Sequence, residues 1–180
     1  MNPIEQSWRR FLETDDESSF SIIYNKYVDD LFAYGISLGF PKESCKDAIQ
    51  DIFIKVYLNK NRIANIDNIT GYIFKSFKNR LIDLNRSNYT INNIDTIKES
   101  FTLDVTVLDN IIDKETAKIL KEKVKRLLDT ITIDQREAVY LKYVAELNHK
   151  EIADILNINE ESSRKRLYRA MEKLRKNAND

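Results

Sequence analysis

Apolar side chains recur at intervals of three and four residues along most of this chain, which is the spacing of one buried face of an α-helix. In residues 19–38 the repeating set is Phe20, Ile23, Tyr27, Leu31 and Tyr34. The pattern predicts helices over 2–12, 19–38, 43–58, 68–87, 109–128, 133–145, 148–156 and 160–177. Only three Gly and two Pro occur in 180 residues, too few for the turns of a strand-rich fold. The sequence therefore predicts an all-α fold.

Two stretches lack this periodicity. Residues 59–67 are rich in Asn and are predicted to form a loop. The stretch "SNYTINNIDTIKESFTLDVT", Ser87 to Thr106, is rich in Asn, Thr, Ser and Asp and is typical of a linker. We therefore predict two small helical domains, 1–87 and 109–180, joined by a linker over 88–108. Its Ile, Phe and Leu residues leave open whether the linker lies against a surface.

Composition argues against several classes of protein. A single cysteine, Cys45, excludes an internal disulfide and a multi-cysteine zinc site, and we expect it to be a small buried hydrophobe. The only histidine, His149, lies at a predicted helix start, where we expect it to be solvated or to contact phosphate. No Gly-rich phosphate loop and no His, Cys and carboxylate cluster is present, so we expect no enzyme, cofactor or metal site. No leader and no long apolar run occurs, so we expect a cytoplasmic protein without membrane insertion.

The segment "NHKEIADILNINEESSRKRLYRAMEKLRK", Asn148 to Lys176, concentrates positive charge in a chain with 29 basic and 29 acidic residues. It predicts a helix-turn-helix: small Ala153 allows a close crossing, Asn157 tolerates the left-handed turn, and Ile158 fills the corner. The second helix of such a motif enters the DNA major groove. On its solvent side we place Ser162, Lys165, Arg166, Arg169 and Lys173. A solvated basic face and a membrane-surface helix are the alternatives.

Two further helices have unusual surfaces. Residues 46–58 show one buried stripe and a second, mixed stripe of Asp47, Gln50, Asp51, Ile54 and Leu58. This second stripe predicts a partner surface, although both faces could pack within a bundle. Residues 68–87 interleave aromatic and basic side chains, among them Tyr72, Phe74, Lys75, Lys78 and Arg86. This mixture suits stacking on single-stranded nucleic acid; plain packing of Tyr72 and Phe74 is the alternative.

Four sequence blocks in this order resemble the extracytoplasmic-function (ECF) group of bacterial RNA polymerase sigma factors. They are "WRRFLETDDESSFSIIYNKYVDDLFAYGISLG", "CKDAIQDIFIKVYLN", "GYIFKSFKNRLIDLNRS", and "DQREAVYLKYV" followed by "HKEIADILNINEESSRKRLYRAMEKLRK". The resemblance covers nearly everything except the linker. It implies a non-catalytic subunit that binds RNA polymerase core and directs promoter recognition, DNA melting and transcription initiation.

The resemblance also implies roles for individual residues. Binding to the clamp coiled coil of the largest polymerase subunit would fall to Asp47, Gln50, Asp51, Phe53 and Ile54, with inward packing left open for Phe53. Binding to the minus-10 promoter element would fall to Tyr72, Lys75, Lys78, Asn79, Asp83 and Arg86, with the loop over 59–70 lining a pocket for a flipped base. Asp83 could instead be structural. Binding to the minus-35 element would fall to Glu161, Ser162, Arg164, Lys165, Arg166, Arg169 and Lys173.

The implied partners are polymerase core, through its clamp coiled coil and flap, promoter DNA, and an anti-sigma factor. The linker would thread through polymerase, although a simple tether explains its composition equally well. The chain departs from the family pattern at Ser163, where Val is usual, and at Glu161, Glu146, Asn157 and Thr132. Ser163 is expected to loosen the second helix of the motif. Two other functions stay open, a stand-alone helix-turn-helix regulator of duplex DNA and a helical hydrolase using Asp29 and Asp30.

Overall fold

The computed structural model describes residues 3–66, 68–88 and 114–178. The chain divides into two compact units, residues 1–97 and 98–180. Within the described ranges all regular structure is helical, which confirms the predicted fold class. The helices are α1 (Pro3–Thr14), α2 (Glu17–Ser37), α3 (Lys42–Leu58), α4 (Lys60–Ile63), α5 (Ile69–Asn88), α6 (Lys114–Asp129), α7 (Ile133–Tyr143), α8 (His149–Leu156) and α9 (Glu160–Ala178).

Most predicted helices lie within a few residues of the observed ones, and one prediction is wrong. The segment 59–67 was predicted to be a loop, but it contains the single helical turn α4. One helical turn is too short to show a hydrophobic period, so the sequence pattern does not reveal α4. The helix depends on the burial of Ile63, which is 7% exposed. Residues 109–113 of the predicted sixth segment and residues 89–108 of the predicted linker lie outside the described residues.

The N-terminal unit buries aromatic and aliphatic side chains of α1, α2, α3 and α5 in one core. The largest fully buried ones include Phe11, Ile23, Leu31, Tyr34, Phe74 and Phe77. A Cβ atom at Gly35 would lie 2.6 Å from the Cys45 sulfur, so glycine permits this close approach of α2 to α3. Cys45 is buried as predicted, and this burial raises the pKa of its thiol to about 11.

The C-terminal unit has the predicted helix-turn-helix, formed by α8 and α9. Asn157 ends α8 in the left-handed conformation with φ 52°, and the amide N–H of Ile158 donates to the carbonyl of Ala153 at 3.0 Å. This pattern satisfies a carbonyl at the end of α8 and turns the chain into α9. Glu146 also adopts a positive φ, 58°. Asn157 at the end of α8 and Glu146 between α7 and α8 thus adopt positive φ angles at the two positions where glycine is common in the family.

Thr132, which stands where a proline is common in the family, caps α7. Its side chain accepts a hydrogen bond from the amide of Gln135, and the Gln135 side chain accepts one from the amide of Thr132. Asn148 and Glu151 form the same reciprocal arrangement at the start of α8. Each pair satisfies two amide donors that a helix leaves free at its N-terminus. The hydrogen bonds of these two caps therefore define where α7 and α8 begin.

Ser163 is fully buried, and its hydroxyl oxygen has no hydrogen-bond partner in the described part of the chain. A buried hydroxyl without a partner costs about 1–3 kcal/mol. We therefore expect Ser163→Ala to raise the free energy of unfolding of the C-terminal unit by about 1 kcal/mol or more. Chemical denaturation followed by circular dichroism measures this change.

Ser162→Ala on the same helix is the matched control, because Ser162 is only half-buried and both changes carry the same gain in helix propensity. The difference between the two variants isolates the buried hydroxyl. Equal stabilisation by both would contradict this account of Ser163.

Candidate nucleic-acid and polymerase interfaces

The surface between α2 and α3 carries an apolar groove of about 750 Å³. Its lining residues are Phe20, Tyr24, Val28, Asp29, Phe32, Lys46, Ile49, Gln50, Phe53, Ile54, Tyr57 and Leu58. Two of them, Ile54 and Leu58, leave 48% and 73% of their surface open to solvent. Tyr57 and Tyr24 are also exposed, at 40% and 38%. We call this surface the α2–α3 groove.

The residues of α3 that were predicted to bind polymerase divide into two classes. Asp47, Gln50 and Ile54 are exposed, as a binding surface requires. Phe53 is buried at 4% exposure, because its ring packs against Tyr24, with the centroids 4.8 Å apart. Asp51 is half-buried, and its carboxylate lies 2.6 Å from the guanidinium of Arg80 on α5. Phe53 and Asp51 therefore serve contacts inside the unit.

Tyr24 and Tyr57 also line the groove, although the sequence patterns did not single them out. Tyr57 packs edge-on against Phe20, with the ring centroids 5.2 Å apart. The sequence contained only a weak indication that these two tyrosines line a groove. A helical wheel places each of them beside a buried stripe, but it does not show which neighbouring helix the side chain contacts. Only the packing of α2 on α3 brings them together.

Helix α5 presents a mixed polar surface. Asn79, Asp83 and Arg86 are exposed, and Tyr72, Lys75 and Lys78 are half-buried. Phe74 is only 1% exposed, with its ring centroid 5.6 Å from that of Tyr34, so of the two alternatives left open for it the structure shows plain packing. Ile73, Phe77 and Leu81 are buried and form the inner face of the helix. Of the predicted aromatic contacts, Tyr72 is the one that keeps solvent exposure.

A polar cleft of about 250 Å³ runs between α3 and α5. Its lining residues are Ile52, Lys55, Tyr72, Ser76, Asn79, Arg80 and Asp83. The Arg80–Asp51 ion pair joins the two helices beside it. Ile52 and Lys55 were not predicted as site residues. They belong to α3, whose sequence pattern indicated a buried stripe and a polymerase-binding stripe but no contact with DNA.

The start of α5 is held from two directions. The Asn68 side chain accepts a hydrogen bond from the amide of Gly71 at 3.0 Å. A Cβ atom at position 71 would lie 2.8 Å from the Asn68 amide nitrogen, so glycine leaves room for this cap. The hydroxyl groups of Tyr27 and Thr70 are 2.6 Å apart and hydrogen-bonded. The first turn of α5 is therefore attached both to the preceding loop and to α2.

Helix α9 carries the predicted basic face. Glu161, Arg164, Lys165, Arg169 and Lys173 are exposed, and Ser162 and Arg166 are half-buried. Arg166 lies 3.6 Å from Asp134 at the start of α7, and only 25% of its side chain is exposed. Two pairs lie along the helix itself, Arg164 with Glu160 at 2.5 Å and Lys165 with Glu161 at 2.6 Å. Arg166 thus differs from the other bases in joining α9 to α7.

Tyr168 was missed by the sequence reasoning. It is 68% exposed on α9, one turn after Arg164 and Lys165. Its position three residues after Lys165 on the same face could have indicated it. A phenol ring there adds an apolar surface and a hydrogen-bonding hydroxyl to the basic face.

His149 is only partly solvated, and its contact with phosphate remains a prediction. It is half-buried, and its Nδ1 atom is buried without a hydrogen-bond partner in the described part of the chain. Burial, followed by the positive charges of Lys142 and Arg164, lowers the pKa of His149 below its usual value. Both effects favour the neutral form of the imidazole.

Comparison with known proteins agrees with this arrangement. The family model "Sigma-70, region 4" matches residues 121–174, which include α7, α8 and most of α9. The ECF RNA polymerase sigma factor SigM of Bacillus subtilis (strain 168) is 25% identical over 154 residues, covering 85% of this chain and 91% of SigM. The SigX factor of the same strain is 24% identical over 164 residues, covering 89% of this chain and 84% of SigX. These matches support the identification of this chain as an ECF sigma factor.

The solved structure of CnrH in complex with the cytosolic domain of CnrY has the same fold. It superposes with a TM-score of 0.63 at 16% identity, and the match covers 99% of this chain and 98% of that chain. Among the described residues of this chain, no helix combines the length and the apolar composition that a membrane span needs. The same residues include no group of three or more His, Cys, Asp or Glu side chains that could hold a metal ion.

Proposed function

We propose that this ECF sigma factor binds RNA polymerase core and directs it to a two-part promoter, where it takes part in DNA melting and initiation. In this proposal residues 1–87 bind core and the minus-10 element, 88–108 form the linker, and 109–180 bind the minus-35 element. The protein has no catalytic residue, and polymerase supplies the chemistry. The observation that carries the proposal is the exposed basic face of α9 within the segment that matches sigma-70 region 4.

The α2–α3 groove is the proposed site for core polymerase. Ile54 and Leu58 are large apolar side chains that remain largely exposed, and a contiguous patch of this kind marks a protein–protein contact. Asp47 and Gln50 lie beside them on the exposed face of α3. A carboxylate and an amide at the rim suit the basic and polar side chains of a clamp coiled coil. Asp51 and Phe53 support this surface from inside.

The minus-10 element is proposed to lie along α5. The cleft beside α5 has about 250 Å³, enough for one unstacked base, and Tyr72 in its wall offers a ring for stacking. Asn79 and Asp83 line the same cleft and can accept hydrogen bonds from the amino groups of base edges. Lys75 and Arg86 would contact phosphates. The exposed segment of the preceding loop, with Asn61, Arg62 and Asn65, continues this surface.

The minus-35 element is proposed to lie against α9 as duplex DNA. In a helix-turn-helix, residues near the start of the second helix contact base edges, which here are Glu161, Ser162 and Lys165. Arg164, Arg169 and Lys173 are exposed further along and are proposed to contact phosphates. Arg166, paired with Asp134, is proposed mainly to hold α9 against α7.

We also propose an anti-sigma factor as a partner. The supporting observation is that CnrH, which shares this fold, was solved with the cytosolic domain of CnrY bound. Such a protein would inhibit transcription by covering surfaces that polymerase or DNA needs. The α2–α3 groove, with Ile54 and Leu58 largely exposed, is the surface proposed for it.

A transcription assay with sigma-free core polymerase tests the proposal. We expect specific transcripts from a genomic promoter library only when this protein is added, since core alone initiates without promoter specificity. Failure to bind core and to initiate would eliminate the proposal. Tight binding of a dimer to palindromic duplex DNA without polymerase would support the stand-alone regulator instead.

A further inference from the structure

The short helix α4 has two anchors in the core of the N-terminal unit. A helix of four residues has no stability of its own, so contacts to other elements must hold it. One anchor is Ile63, buried at 7% exposure. The other is Lys60, whose side chain is only 16% exposed. Lysine is among the residues least often buried unless it is paired.

Lys60 has two partners from the corner between α1 and α2. Its ammonium group forms an ion pair with the Asp15 carboxylate. The same ammonium lies 5.4 Å from the centroid of the Phe11 ring, within the range of a cation–π contact. Because the Asp15 side chain is 66% exposed, water screens the ion pair, and the buried stem and the ring contact hold Lys60 more strongly.

The corner that receives Lys60 is itself well defined. Asp15 adopts φ 55°, a conformation that Asp and Asn tolerate better than most residues. Next to it, Asp16 caps α2 by accepting a hydrogen bond from the Ser19 amide at 3.2 Å. The Asp16 carboxylate also lies 3.0 Å from Arg10. Lys60 therefore docks onto a corner that its own local contacts keep in place.

The chain between α3 and α5 is thus attached at both ends. Lys60 holds its beginning, and the Asn68 cap with the Tyr27–Thr70 hydrogen bond holds its end. Between the two attachments Asn61, Arg62 and Asn65 are exposed. A loop fixed at both ends and open in the middle holds its exposed side chains in a set position, which lowers the entropic cost of binding.

We propose that Lys60 is a positioning residue for minus-10 recognition, because its buried side chain fixes the loop before α5 against the α1–α2 corner. This inference rests on the proposed function of α5 and the loop. It assigns to α1 a part in holding single-stranded DNA, although α1 itself carries no residue that contacts it. Lys60 acts through Asn61, Arg62 and Asn65 and touches no base.

The test is a graded series of variants in complex with core polymerase. Lys60→Ala removes the charge and the buried stem, Lys60→Met keeps most of the stem, and Asp15→Asn removes the partner charge while tolerating the positive φ. The matched control is Lys26→Ala, because Lys26 pairs with Asp30 on the surface and is 53% exposed. The probe is a forked promoter DNA with a single-stranded minus-10 element carrying 2-aminopurine, whose fluorescence reports an unstacked base.

We expect Lys60→Ala to lower affinity for the forked DNA roughly tenfold, about 1.4 kcal/mol, because the loop would then have to be ordered on binding. Lys60→Met and Asp15→Asn are expected to cause smaller losses, and Lys26→Ala none. The affinity for core and for duplex minus-35 DNA should stay unchanged in every variant. A general loss of folding would lower all three affinities together.

Two outcomes overturn different claims. If the wild-type complex does not bind the forked DNA, the proposed function of α5 is wrong. If the wild-type complex binds and Lys60→Ala behaves like Lys26→Ala, the role of Lys60 is wrong and that of α5 stands. An equal fall in core affinity would show that Lys60 serves only the stability of the unit.

Discussion

Replacing both Ile54 and Leu58 by alanine is expected to lower the affinity for core polymerase by about 100-fold. Each change removes apolar surface that binding would bury, at about 1.5 kcal/mol for each side chain, and the two losses add to about 3 kcal/mol. Folding should be almost unaffected, because 48% of Ile54 and 73% of Leu58 already lie in solvent. Titration of labelled protein with core polymerase measures the affinity, and thermal unfolding measures the stability.

The control for this prediction is Ile22→Ala. Ile22 belongs to the same unit and is 50% exposed, but it does not line the α2–α3 groove. We expect its affinity for core to equal that of the wild type. If the double variant also binds core normally, the groove is not the polymerase site, and an anti-sigma factor becomes its remaining proposed occupant.

The double change of Arg169 and Lys173 to alanine is expected to weaken binding of duplex minus-35 DNA and to reduce its dependence on salt. Each phosphate contact contributes about 0.9 to the slope of log affinity against log salt concentration, so losing two should reduce the slope by about 1.8. Both side chains are exposed on α9, where they can reach phosphates without breaking an internal contact. Fluorescence anisotropy of the complex with core, at several salt concentrations, measures the slope.

Arg166→Ala distinguishes contact with DNA from support of the helix. Because Arg166 is paired with Asp134 and largely covered, we expect this variant to keep nearly the wild-type salt slope and to lose stability of the C-terminal unit. A slope reduced as much by Arg166→Ala as by loss of Arg169 would place Arg166 on the DNA. That result would restore the role which the sequence alone suggested for it.

Sequence predicted well what depends on neighbouring residues. The turn between α8 and α9 follows from Asn157, whose short polar side chain tolerates the left-handed conformation. The buried stripes of α3 and α5 follow from apolar residues three and four apart, and Ile52 and Ile73 are buried as this spacing requires. The resemblance to ECF sigma factors is confirmed, while the roles of individual residues in binding remain predictions.

Sequence was less informative wherever two distant segments meet. Asp51 and Arg80 are 29 positions apart, and nothing local indicates that they pair instead of facing a partner. Phe74 belongs to an aromatic and basic pattern, yet Tyr34 and the rest of the core cover it. Lys60 lies in a segment that was predicted to be a loop, and nothing local indicates that it pairs with Asp15, which is 45 positions away.

By itself, then, the sequence determined that the chain is helical and where most of its helices begin and end. It also determined that the C-terminal part of the chain contains a helix-turn-helix with a basic face. These properties depend on backbone preferences, caps and periodicity, which act within one or two turns. Only the tertiary structure decided which charged side chains remain open to partners and which are used inside a unit. The physical reason is that a helical period tells which face is buried but not which residues of another helix lie against it.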